Sequence, residues 1–469
     1  MNPLLTAARA GGETCNGVTG NKFPPSKIPN NLTGESSDKS LHQIVAGRGF
    51  FFAPAPFISV KVTVDEEYNH DKMVDALFRT EAAHPILNNV IVKNKEGLFF
   101  KNDGHHVKLT YHDGNDRNTW EGVLKNEVCR TVDIQKEPGV FLHVIDNNQS
   151  FDVLLICHHI YGDGVSVKQV LGDLLYCYVS GKPIAVREPL TGLSKWNMPA
   201  DYHVAQERKD AFYNLVDLWD TRNTTFNFED FQKLNELHHA SAGYGMEYVL
   251  IRGANLRRLK ALCKQYDVTI NSAITTAIMP ELQGPEGVQA IIAANTRPIF
   301  GLEQRTGMAN FASAMNTFFK YDNSMDFWTN VRDVNYVLSD IKQNKPQLLE
   351  TLYAFLSLDE DLFGASYLAK YGLYTDMEVL MGMMSALNVG TAKDAFGISN
   401  LGHAQFVFDT DDVNLRDFCF IPNVDLGSDY KFGVISIDNC LSITLSYAST
   451  RVSKDKAKAI LRNVVNRFY

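Results

Sequence analysis

The alternation of apolar and polar positions separates a featureless beginning from two structured stretches. Residues 1–40 are rich in Gly, Asn, Ser, Thr, Pro and Lys and show little periodicity, which predicts a disordered N-terminal arm. Phe57–Val64, FISVKVTV, alternates as a strand does, because successive strand side chains point to opposite faces. In HDKMVDALFRTEAA, which begins at His70, Met73, Ala76, Leu77 and Thr80 recur at helical spacing, and His84-Pro85 ends the helix. Short strands are predicted around 88–93, 98–101 and 107–111, punctuated by Gly97 and Asp103-Gly104. VFLHVID (Val140–Asp146) and FDVLLIC (Phe151–Cys157) flank a polar turn as a hairpin. The second of these runs through HHIYGDG into VSVKQVLGDLLYCYV, whose Val167, Val170, Leu171, Leu174 and Tyr178 make one apolar helical face. The order is strand, glycine-bearing loop, helix.

From 181 to 239 the pattern weakens among Pro183, Pro189 and Pro199, with an intermittent helical stretch near 211–219. A linker is therefore placed over 186–240, between an N-terminal lobe, 41–185, and a C-terminal lobe, 241–469. The second lobe is expected to hold strands at 246–252, 287–295 and 310–321, helices at 255–266 and 271–282, and several helices over 326–386. Strands then follow around 396–399, 405–409, 418–422, 432–437 and 441–447, before a last helix over 453–468. The fold class is α/β with two lobes.

A chain of 469 residues is too long for one ordinary core, which agrees with two lobes. A net charge of −9 argues against nucleic acid or an anionic membrane surface as partner. Seven scattered cysteines without a CxxC pair suggest neither a zinc site nor a disulfide scaffold, and nothing in the chain requires a metal or a bound cofactor. No apolar run is long enough to span a bilayer and MNPLLTAARAGG is a weak secretory signal, so the expectation is a cytoplasmic protein, with loose membrane or lipid association left open. His105-His106 and His238-His239 lack partners at ligand spacing and read as solvated loop, while Phe50-Phe51-Phe52 reads as packing or a tunnel mouth. There is no GxSxG and no GxxxxGK, so neither a serine hydrolase nor a P-loop enzyme is supported.

The chemistry is concentrated in His158-His159-Ile160-Tyr161-Gly162-Asp163-Gly164. A loop after a buried strand is where a scaffold can present a reactive side chain, and a neutral imidazole accepts a proton near neutral pH. Asp163 is expected to brace the loop, with Gly162 and Gly164 allowing a tight turn and room for substrate.

This string resembles the HHxxxDG motif of the condensation-domain and chloramphenicol-acetyltransferase-like acyltransferases. Asn295-Thr296-Arg297-Pro298 looks like the family's N-x-R-P segment, and Gly307–Phe311 leading into Met315-Asn316-Thr317 is similar to its G-x-x-x-N-T segment. Ser399-Asn400-Leu401-Gly402 resembles the SNLG of the alcohol acetyltransferase branch, fungal in style. The DFGWG of plant acyltransferases is missing, Val424-Asp425-Leu426-Gly427 being a poor match, and so are the further signatures of peptide-synthetase condensation domains. The resemblance implies two lobes in a pseudo-dimer with a tunnel between them and His159 midway as general base. It further implies that Asp163 pairs with Arg297, that His158 packs, and that Asn316, Ser399 or Asn400 line the tunnel or stabilise the oxyanion. Acetyl-CoA or another acyl-CoA would be co-substrate and a hydrophobic alcohol the acceptor, with the protein a monomer. An amine acceptor, a carrier-protein donor and an inactive binding homologue are the alternatives.

Overall fold

The computed structural model describes residues 41–469 apart from 45, 115–118, 191–197, 199–201, 203, 303–306, 344, 388–394, 407, 409–413 and 425–426, so the arm expected over 1–40 lies outside the described residues. The first part of the chain runs β1 (Leu41–Ile44), β2 (Phe57–Val64), α1 (His70–Ala83), β3 (Val90–Asn94), β4 (Gly97–Lys101), β5 (Lys108–Asp113), α2 (Trp120–Val128), β6 (Val140–Asp146), β7 (Phe151–His158) and α3 (Gly164–Ser180). Two helices follow, α4 (Gln206–Arg222) and α5 (Phe228–Ala242), and then β8 (Gly245–Arg252), α6 (Gly253–Gln265), α7 (Ile270–Leu282), β9 (Val288–Asn295) and β10 (Ala312–Phe319). The remainder is α8 (Phe327–Gln343), α9 (Lys345–Ser357), α10 (Glu360–Ala369), α11 (Met377–Leu387), β11 (Ala395–Ala404), β12 (Leu415–Pro422), β13 (Tyr430–Ile437), β14 (Cys440–Tyr447) and α12 (Lys454–Asn466).

The lobes are built on a five-stranded sheet, β12-β2-β7-β6-β5, and a six-stranded sheet, β10-β9-β11-β13-β14-β8, with a small β1-β4-β3 sheet beside the first. β6 and β7 form the expected antiparallel hairpin, Asp146 opposite Phe151. β5 runs parallel to β6, a pairing that needs a crossover, and α2 supplies it. That helix escapes the sequence pattern, yet it reaches β2, every residue of which is buried. Trp120 of α2 lies under the Lys61 ammonium, 5.4 Å from ring centre to nitrogen, and Lys61 pairs with Asp152 at 2.7 Å.

The first lobe's sheet takes an edge strand from the far end of the chain. β12 pairs antiparallel with β2, Phe420 opposite Val60, while Thr444 of β14 donates a hydrogen bond to the Phe420 carbonyl at 2.6 Å. β12 therefore ties the two sheets together. The stretch 186–240 read as linker carries the regular helices α4 and α5, whose buried faces include Phe212, Leu215, Trp219, Phe231 and Leu234. His238 is buried in α5 with its Nδ1 3.0 Å from the Tyr371 hydroxyl, not in a solvated loop, and His106 meets the Glu81 carboxylate at 2.7 Å. Gln405, Phe406 and Phe408 lie outside any strand, so that expected strand is absent among the described residues.

Candidate functional site

β7 is paired on both sides, with β2 and β6, and delivers His158 opposite Phe57 at the sheet's end. The chain then turns under tight backbone control. His158 donates its N–H to the Gly139 carbonyl and His159 to that of Pro56, both at 2.7 Å. The Tyr161 hydroxyl donates to the Asn89 carbonyl at 2.6 Å and accepts from the Gly139 N–H at 3.0 Å. Asp163 has extended backbone (φ −93°) and caps α3, accepting the Ser166 N–H at 3.1 Å.

The other carboxylate oxygen of Asp163 leaves the helix. It accepts from Arg297 Nη1 at 2.6 Å and from the Phe311 N–H at 2.9 Å. Arg297 also donates from Nη2 to the Ser166 hydroxyl and the Ala309 carbonyl, each at 3.0 Å. Ser166 closes the network by donating to the Ala309 carbonyl at 2.9 Å and accepting the Ala309 N–H at 3.1 Å. The start of α3, the turn after β9 and the segment before β10 are thus fastened to each other, with both ion-pair side chains buried. Burial alone would raise the Asp163 pKa, but Arg297 and the two backbone donors outweigh it and hold the carboxyl below its ordinary value.

The two adjacent histidines have opposite surroundings. His158 is 1% exposed, meets Phe57 edge-on and accepts the Ile160 N–H on Nδ1 at 3.3 Å. Burial, then the neighbouring His159, pull its pKa down to about 3, so it is neutral at physiological pH. His159 is partly exposed. Phe50 stacks on its ring with centroids 4.2 Å apart and planes 3° from parallel. Asn310, 6% exposed, places its Nδ2 3.0 Å from His159 Nδ1 and donates to the His159 carbonyl at 3.1 Å. Neither contact is marked in the sequence, because Asn310 is 151 residues from the histidine. Phe50 owes its seat to Gly49. A Cβ there would fall 2.5 Å from the Phe355 ring, and the Gly49 carbonyl accepts from the Tyr367 hydroxyl at 2.7 Å.

The remaining candidates fall into other places. Gly162 and Gly164 do not have positive φ, so a left-handed turn is not their reason. A Cβ on Gly164 would come 2.7 Å from the Leu401 side chain and 3.1 Å from Phe420, so the glycine makes room for protein, not substrate. Leu401 belongs to Ser399-Asn400-Leu401-Gly402, which forms an irregularity in β11, and its carbonyl accepts from Lys168 of α3 at 3.3 Å. Asn400 donates to Asn271 at 3.0 Å and accepts the Gly402 N–H at 2.8 Å. Ser399 is half-buried opposite Gly433, and Asn316 is exposed on β10 opposite Ile291.

A cavity of about 40 Å³ borders the histidine loop, lined by Ile44, Ile160, Leu190, Met308 and Asn310 among others. Among the described residues no group of three or more His, Cys, Asp or Glu is placed to hold a metal ion. No helix of the described residues is long and apolar enough to cross a membrane.

No protein-family model and no curated protein matches the sequence. Solved structures do match the fold. The first condensation domain of the calcium-dependent antibiotic synthetase, in complex with a substrate analogue, is similar with TM-score 0.60 at 10% identity, covering 91% of this chain and 96% of that one. Polyketide synthase associated protein 5 from Mycobacterium tuberculosis is similar with TM-score 0.58 at 12% identity, covering 91% and 97%. The starter condensation domain of rhizomide synthetase, a mutant in complex with C8-CoA and Leu-SNAC, gives TM-score 0.55 at 11% identity, covering 91% and 93%. At such identities the likeness shows the fold, the two-lobed α/β arrangement of condensation domains.

Proposed function

We propose that this chain is an acyltransferase that moves an acetyl or other short acyl group from acyl-CoA to the hydroxyl of a hydrophobic alcohol, with His159 as general base. The observation that carries the reading is His159 itself. It is a partly exposed imidazole at the end of a doubly paired strand, held on its face by Phe50 and on its edge by Asn310, beside a buried Asp163–Arg297 pair. As the acceptor oxygen attacks the thioester carbonyl carbon, His159 takes the hydroxyl proton. The carbon–sulfur bond then breaks and the imidazolium returns that proton to the thiolate. With both substrates bound together no acyl-enzyme is required, and their proximity lowers the barrier. Asp163 acts at a distance, fixing the loop through Arg297 and the segment 309–311. Asn316, Ser399 and Asn400 stay candidates for the tunnel wall or the oxyanion site, where N–H or O–H donors would stabilise the tetrahedral intermediate.

The condensation-domain fold favours a second reading, in which a carrier protein presents the acyl group or the acceptor is an amine. The base chemistry is the same in both. Thiol release from acetyl-, medium-chain and carrier-linked thioesters, measured with alcohols and with amines, separates them. His159→Ala is expected to lower acceptor-dependent release by about 10²–10⁴-fold while the protein stays folded. Turnover that survived in the folded variant would remove His159 from the chemistry. Silence across every donor would point to a binding protein that keeps the fold.

A further inference from the structure

We infer that Phe50 is a positioning residue whose ring face favours the protonated, charged state of His159 over the neutral one. The argument starts from the segment Gly47-Arg48-Gly49-Phe50, a single 3₁₀ turn closed by the Phe50 N–H on the Gly47 carbonyl at 3.0 Å. Its two glycines are there for close contact. A Cβ on Gly47 would fall 2.7 Å from the carbonyl oxygen of Ile160, the neighbour of His159, and one on Gly49 would fall 2.5 Å from the Phe355 ring. A larger residue at either place would push the turn off one of its neighbours. The turn is thus wedged between the histidine loop and α9, and the Tyr367 hydroxyl of α10 holds it by the Gly49 carbonyl.

That wedge lays Phe50 flat on the His159 ring, centroids 4.2 Å apart and planes 3° from parallel, with Phe355 at 5.8 Å from Phe50. The face of a phenyl ring carries negative charge density, so it attracts a charged imidazolium much more than a neutral imidazole. The charged ring forms only as the acceptor gives up its proton. The gain is therefore made on the way to the transition state and not in the resting protein, which is the condition for an interaction to raise kcat. Ordinary packing would hold both states alike.

The inference rests on the reading of His159 as proton acceptor and adds a residue to it. The groups packed around the stack are of several kinds. On the histidine's own loop lie His158, held neutral by burial, and Asp163, whose charge Arg297 meets. The segment before β10 brings the uncharged amide of Asn310. The turn itself brings Arg48, buried and set against Glu360 and Asp359 at the start of α10, where Lys93 pairs with Asp361. None of these charges changes when the Phe50 ring is changed, so variants at that position read the stack against a constant background.

The test keeps the full chain and alters the ring. Pentafluorophenylalanine in place of Phe50 nearly preserves its shape and reverses the charge of its face, and para-fluorophenylalanine weakens that charge. In thiol release, kcat is expected to fall in the order phenylalanine, para-fluoro, pentafluoro, and Phe50→Leu to lie about two- to fivefold below wild type, with KM for the thioester unchanged. The second readout needs no turnover. The midpoint of His159 protonation, followed by NMR of the histidine ring protons and assigned by its loss in His159→Gln, is expected to drop by about half a pH unit in Phe50→Leu. The sign decides the matter. A phenyl ring that merely excluded water would disfavour the charged imidazole, and its removal would raise the midpoint. A raised or unchanged midpoint overturns the inference, as do fluorinated variants with wild-type kcat, while His159 keeps its role if His159→Ala has lost turnover. A lowered midpoint in a protein inert toward every thioester would instead sink the acyltransferase reading and leave the action of Phe50 on the histidine standing.

Discussion

Two aspartates of one helix each bind an arginine, and their surroundings differ. Asp163, at the start of α3, pairs with Arg297 from 134 residues away, and both side chains are less than 5% exposed. Asp173, further along, pairs with Arg187, only 14 residues away and with a quarter of its side chain exposed. Asp173 also accepts from Gln169 at 3.0 Å and meets the buried His84 at 2.9 Å. Both carboxyls are held below their ordinary pKa although burial opposes it: Asp163 chiefly by Arg297, Asp173 by His84 and Arg187. The first pair joins segments distant in sequence, alongside the Ser166–Ala309 hydrogen bonds, whereas the second clips a helix to the chain that leaves it. The same two side chains thus make a keystone in one place and a local fastening in the other.

The sharpest way to break this comparison is to remove one carboxylate at a time. Asp163→Ala leaves a buried guanidinium without its counter-charge and frees the Phe311 N–H, which is expected to cost about 3–5 kcal/mol and most of the activity. Urea unfolding monitored by circular dichroism gives the first number, and thiol release the second. Arg297→Lys is expected to recover little, because one ammonium on a flexible stem cannot serve Asp163, Ser166 and Ala309 together. Asp173→Ala is expected to cost less, on the order of 1–3 kcal/mol, with turnover unchanged. Equal losses from the two alanine variants would mean that burial and reach do not distinguish the pairs.

The sequence pattern was most readable where local periodicity and tertiary role coincide. The β6–β7 hairpin and α1 have the predicted bounds within a residue, and α3 extends one residue further at each end, because their apolar faces are also their buried faces. It failed where burial comes from elsewhere. α4 and α5 are polar enough to pass for linker, since each buries only a narrow stripe such as Phe212, Leu215 and Trp219. β1 is four residues of mixed polarity whose partner β4 begins at Gly97. At the site, the motif string marks His159 and Asp163, and the family resemblance points to Arg297. Asn310 and Phe50 approach His159 only through the packing of three distant segments, and no spacing could announce them.

The effect expected to be smallest at neutral pH develops only in acid and separates the pairs from the histidine beside them. Both aspartates have folded pKa values below the ordinary carboxylate value of about 3.9, so the stability they contribute is present above that value and is lost as pH falls through the folded pKa. His158 behaves differently. Its folded pKa is about 3, against about 6.5 for an unfolded histidine, so below pH 6.5 the unfolded chain takes up a proton that the folded one refuses. Stability contributed by keeping His158 neutral is complete above about pH 6.5 and falls as pH drops toward 3. Between pH ~6 and ~4 the slope from one such group is about 1.4 kcal/mol per pH unit. His143, pulled down to about 4 chiefly by burial, adds its own slope, so the difference between wild type and His158→Gln isolates the contribution of His158. The variant is expected to lose stability less steeply across that range. Parallel curves would show that His158 takes up its proton in the fold as readily as outside it, and that the contrast between the adjacent histidines does not lie in burial.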